Sequence, residues 1–85
     1  MKVYIAVKAL SFFCNGKWND ECCYVQRVFL SYKAAVKYAT SKGYTKFIER
    51  EDANAIDRWV SELKIDDEYS KSRMSIEQHE LHLFK

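Results

Sequence analysis

Two histidines, three cysteines and a scatter of lysines are the residues of this chain best equipped for chemistry. His79-Glu80-Leu81-His82 comes within one residue of the zinc-protease pattern H-E-x-x-H. That pattern works because histidines four apart share one helical face. Here they are three apart in a segment expected to be a strand, where they point to opposite faces. Cys22 and Cys23 are adjacent, and neither they nor Cys14 forms the C-x-x-C pair that seeds a zinc site, so no metal ligand set is assigned. Adjacency and the odd count also argue against a disulfide framework. A small histidine-dependent nuclease would need an acid and a base beside a phosphate, with His79 or His82 joined by Lys71 or Arg73. Gly16 and Gly43 lie too far apart for a phosphate-cradling loop, and no Ser or Cys sits between glycines as a nucleophile elbow requires. The chain therefore reads as non-enzymatic, with no cofactor.

Binding residues are easier to nominate. Lys33 and Lys37, spaced i, i+4, with Lys42 and Lys46 beyond them and Tyr38 and Tyr44 interleaved, could grip phosphates and stack a base, which makes RNA one candidate ligand. The plain alternative is a solvated helix face whose lysines complement the helix C-terminus. Phe12, Phe13 and Trp18 form a second set. Projecting, they would make a protein-binding hot spot; folded back, they would be core.

These residues must be positioned by one small domain spanning residues 1–85, since 85 residues leave room for a single core. The hydrophobic share of 48% is enough to build it, and with no Pro and two Gly there is no linker. Net charge is only +2, but residues 1–50 hold nine Lys or Arg against three Asp or Glu, and the remainder holds five against nine. At the start, Lys8 interrupts the apolar run, and Phe12 and Phe13 stand where a signal cleavage site needs small residues. No stretch approaches the roughly 20 apolar residues of a membrane span, so a cytoplasmic protein without membrane contact is expected.

Val3, Ile5, Val7 and Ala9 alternate with Lys2, Tyr4, Ala6 and Lys8, the period of a half-buried strand. A second strand is expected over residues 22–30, paired to the first through a turn at Asn15-Gly16. Ser31 as N-cap and Gly43 as terminator bracket a helix whose stripe is Tyr32, Ala35, Val36 and Ala39. Residues 44–50 read as a short strand, with helix as the alternative. Asp52 then caps an expected second helix carrying Ile56, Trp59, Val60 and Leu63 at i, i+3, i+4, i+7, with Trp59→Ala as the most damaging change. Residues 66–73 read as a loop, and Met74, Ile76, Leu81 and Leu83 as a closing strand with a bulge near Gln78. The expected fold is α+β: an antiparallel sheet of three or four strands in the order β-β-α-(β)-α-β, with both helices on one face.

Lys2-Val3-Tyr4-Ile5, then Val28-Phe29-Leu30-Ser31 with Ala34 and Ala35, then Ile76 through Glu80-Leu81 resemble a loose group of small bacterial and phage α+β proteins. That group opens on K-V-Y-[IV] and closes on I-x-x-x-E-L; the likeness covers about half of the chain, residues 44–68 depart from it, and it carries no functional residue. Composition is similar to that of accessory proteins of T4-like phages. The resemblance implies a binder that acts by occlusion on a host protein, such as a toxin ribonuclease or a nuclease-based defence system. A homodimer fits so small a domain.

Overall fold

The computed structural model describes residues 1–51 and 57–81. The chain opens with two long strands, β1 (Lys2–Cys14) and β2 (Lys17–Phe29), joined at Asn15-Gly16. Both turn residues have positive φ, 53° and 78°, the conformation that Asn and Gly tolerate and that matches the twist of a tight hairpin. Helix α1 (Tyr32–Ser41) follows, then β3 (Ile48–Glu51), β4 (Asp57–Val60), β5 (Lys64–Asp67) and β6 (Ser70–Glu80). The strands form one sheet in the order β2-β1-β6-β4-β3, with β5 also on β6, and every pair is antiparallel.

The first half of the chain folds as its local signals require. Ser31 Oγ accepts from the Ala34 amide at 3.1 Å, and Gly43 takes φ +91° just past the last turn of α1. Ala35 and Ala39 are completely buried, so small side chains let the helix lie close on the sheet.

The expected α+β fold with two helices is overturned. Among the described residues α1 is the single helix, and Trp59, Val60 and Leu63 lie in or beside short strands. Segments β4 and β5 run along the free side of β6, and the break between them stays bonded to it. The Ser61 amide donates to the Met74 carbonyl at 2.9 Å, and the Met74 amide donates to Ser61 Oγ at 2.9 Å. An open edge of β6 thus outcompetes helix propensity over this stretch. Asp52 and Ile56 lie outside the described residues. The expected loop at 66–73 is instead the end of β5, a turn, and the start of β6. No bulge occurs at Gln78: β1 and β6 pair without a shift from Lys2↔Glu80 to Phe12↔Ser70. The register slips lie between β1 and β2, at Ala6/Val7 and at Ala9/Ser11, and between β5 and β6, at Ile65/Asp67. Of residues 44–50, only Ile48 onward is strand.

Unbroken β1–β6 register divides the sheet cleanly into two faces. Helix α1 covers the side carrying Tyr4, Ala6, Lys8, Met74 and Ile76, and the core there joins Ala6, Ala39, Tyr44 and Met74, with Phe29, Tyr38 and Phe47 packed against it. The Tyr4, Tyr32 and Trp59 rings meet at tilted angles at the same face, with the Tyr32 and Trp59 centroids 4.4 Å apart. The Val3, Ile5, Val7 side faces away from the helix. A ten-residue helix is about 15 Å long, whereas thirteen-residue strands run for about 43 Å, so the β1–β2 hairpin must overhang its cover. The molecule is accordingly elongated, 52 × 25 × 21 Å.

Candidate functional site

The overhanging hairpin carries the aromatic residues singled out in the sequence. Phe13 pairs directly across the strands with Trp18, and their rings meet edge to face at 5.5 Å. The β5–β6 turn comes up beside them. Phe13 donates its amide to the Tyr69 carbonyl at 2.7 Å, and the two rings stack with centroids 6.4 Å apart. Lys71 Nζ sits 4.2 Å from the Trp18 ring centroid, a cation–π contact with the indole. The cluster remains open to solvent, with Phe13 38%, Trp18 42% and Tyr69 57% exposed. Phe12 is also exposed, but neighbouring strand residues point to opposite faces, so it does not join Phe13 and Trp18. Sequence reasoning missed Tyr69 and Lys71 because it read their segment as a loop.

The turn that presents Tyr69 is held by one carboxylate. Asp67 Oδ1 accepts from the Tyr69 amide at 2.8 Å, and that bond, with a further one from Ser70, lowers the Asp67 pKa below its ordinary value. At the opposite end, burial raises the Tyr32 pKa, and the charge of Glu49 raises it further.

The lysine and tyrosine set is only partly brought together. Lys33 and Lys37 are exposed on α1, but Lys46 has turned aside to pair with Glu62 at 3.4 Å and lines a separate depression with Ile48 and Arg50. Tyr44 is 2% exposed and belongs to the core. Its hydroxyl lies 2.7 Å from Ser72 Oγ, and Ser72 donates its own proton to Asp66 at 2.8 Å, so Tyr44 is the donor. Tyr38 is half-buried on Phe29, with Arg27 and Lys42 each within 6 Å of its ring. Lys42, Tyr38 and Tyr44 do line one polar cleft of about 280 Å³, in company with Lys8, Gln26, Lys64 and Met74.

The histidines make no pair. His79 lies in β6 with Nε2 2.9 Å from Glu77 Oε1, and His82 is outside the described residues. Cys14 and Cys23 are exposed free thiols. Among the described residues no three His, Cys, Asp or Glu side chains gather as a metal site would need, and no helix is long and apolar enough to cross a membrane. No protein-family model matches the chain, and neither a curated protein nor a solved structure is significantly similar to it.

Proposed function

We propose that this chain is a non-enzymatic protein-binding domain acting by occlusion, with the Phe13–Trp18–Tyr69 cluster as its contact. One observation carries the reading: at the end of an elongated molecule the Phe13 ring meets both Trp18 and Tyr69, and all three rings are still 38 to 57% exposed. An isolated exposed ring is ordinary, but rings already ordered by their neighbours have met part of the entropic cost of binding. Lys71 supplies a charged rim to an otherwise apolar patch. The resemblance to small phage proteins extends this reading to a host protein in the cytoplasm, such as a toxin ribonuclease or a nuclease-based defence enzyme.

A tagged pull-down from bacterial lysate, with and without ribonuclease, tests it. A stoichiometric protein partner should survive ribonuclease and moderate salt, and Trp18→Ala should weaken its recovery by about thirtyfold, the weight of a hot-spot residue. Recovery that collapses with ribonuclease, or that falls steeply with salt, would favour RNA binding instead. A partner retained undiminished by Trp18→Ala would place the contact elsewhere.

A further inference from the structure

On the helix-covered face, the sheet opens beyond the C-terminal end of α1 into the cleft lined by Lys8, Gln26, Tyr38, Lys42, Tyr44 and Lys64. Lys8 is the informative residue. It stands on β1, inside the sheet, between completely buried Ala6 and the half-buried side chains that follow it, and in register with Met74, which is 1% exposed. Its side chain is only partly exposed, at a place where an apolar residue would simply continue the covered face. Yet Lys8 has no carboxylate within ion-pair distance among the described residues, and neither do Arg27 and Lys42.

The fourth cation of this group is held in place. Lys64 Nζ donates to the Lys42 carbonyl at 2.9 Å, lies 5.1 Å from the Tyr44 ring centroid and approaches Asp66 Oδ1 at 3.6 Å. Its stem passes so close to Gly43 that a Cβ there would meet Lys64 Cε at 3.2 Å. Three cations, Lys8, Lys42 and Lys64, thus line the cleft, Arg27 lies over the ring of its Tyr38 wall, and among the described residues Asp66 is the one carboxylate in ion-pair contact with any of the four. The helix C-terminus would ordinarily repel an anion here. Four of the carbonyls there are already engaged: those of Tyr38, Ala39, Thr40 and Lys42 accept from Ser41 Oγ, the Lys42 and Tyr44 amides, the Gly43 amide and Lys64 Nζ.

We infer that this cleft is an oxyanion site for a phosphate-bearing ligand, with Lys8 and Lys42 as its principal donors and Arg27 and Lys64 at its rim. Phosphate suits it because several cationic donors can share the oxygens of one phosphoryl group in charge-assisted hydrogen bonds. The ligand is a free phosphate compound or the backbone of a nucleic-acid strand; both present the same group. The site stands apart from the hairpin cluster and does not depend on the protein-binding reading.

Titration of the whole chain with inorganic pyrophosphate, followed by amide chemical shifts, tests the inference. Saturable shifts should centre on Lys8, Gln26 and Lys42, and Lys8→Gln should weaken binding by about tenfold, as loss of one charge-assisted bond does. Lys42→Gln, at an exposed position that leaves the core untouched, should do the same, whereas Lys33→Gln and Trp18→Ala should not. A mononucleotide and a short oligoribonucleotide then distinguish the sources. Tighter binding of the oligonucleotide with a steep salt slope marks a strand, and equal or weaker binding marks a free ligand. Shifts that never saturate, or that spread equally to Lys33 and Lys37, would overturn the site.

Discussion

At the helix end of the sheet Ala6, Met74 and Tyr44 are at most 2% exposed, while at the hairpin end Phe12, Phe13 and Trp18 keep 38 to 42% of their surface in water. Both ends draw on β1 and both are rich in large side chains, so hydrophobicity does not separate them. Cover does. Helix α1 ends well short of the hairpin tip, and the aromatic residues beyond it find their neighbours across one hairpin and from the Tyr69 turn and Lys71. The contrast teaches that the two ends carry different loads: one holds the fold, and the other is free to be spent on contacts.

The largest effects should break that contrast most visibly. Met74→Ala empties a fully buried site beside Ala6 and Tyr44 and should cost about 2–5 kcal/mol, whereas Phe12→Ala at the hairpin should cost about 0.5 kcal/mol or less. For a domain of this size each kcal/mol lowers Tm by about 4–8 °C, so thermal melts by circular dichroism read the difference directly. Equal losses at the two positions would mean that the hairpin tip is part of the cooperative core. The structure thereby moves the anchor of the fold from Trp59, which is only half-buried on the Tyr32 ring, to Met74 and its fully buried neighbour Ile76.

A smaller effect tests how the covered end manages its polar groups. Tyr44 donates into Ser72, and Ser72 into Asp66, so the buried hydroxyl pair ends at a carboxylate. Tyr44→Phe keeps the ring in the core and leaves Ser72 Oγ without its donor, at a cost of about 0.5–1.5 kcal/mol in chemical denaturation. Ser72→Ala removes the same bond together with the one to Asp66, so the loss in the double variant should be smaller than the sum of the two single losses. Losses that simply add would show that the hydroxyls contribute nothing as a pair.

How much of this was legible in the sequence follows the range of the signals. Asn15-Gly16, Ser31 and Gly43 act on the backbone within a few residues, and the hairpin and α1 form where those residues place them. Ile56, Trp59, Val60 and Leu63 have helical spacing, but nothing local reveals that β6 offers a free edge to this stretch. As strand residues, Trp59 and Val60 turn to opposite faces, Trp59 onto Tyr32 and Val60 towards Ile48, a division no helical stripe would give. The candidate sites follow the same rule. Phe13 and Trp18 were legible because one tight turn pairs them, while Tyr69 and Lys71 reach them, and Lys64 reaches Lys42, through the β5–β6 hairpin that the loop reading of residues 66–73 concealed.

The smallest expected effect concerns the hinge between hairpin tip and sheet. Asp67 accepts from the Tyr69 amide, and this bond holds its carboxyl below the ordinary aspartate value of 3.8. A pKa depressed in the folded state stabilises the fold above the unfolded value, and that contribution is lost as pH falls through the folded one. Acidification should therefore loosen the Tyr69 turn below the ordinary aspartate range while Met74 and Ile76 remain protected, because the turn is exposed and the core is not. An acid titration followed at the Tyr69 and Phe13 amides reads this step, and Asp67→Asn, which keeps an acceptor oxygen but does not titrate, should abolish it. If the step persists in Asp67→Asn, another carboxylate governs the tip; if core and tip amides respond together, the two ends unfold as one unit.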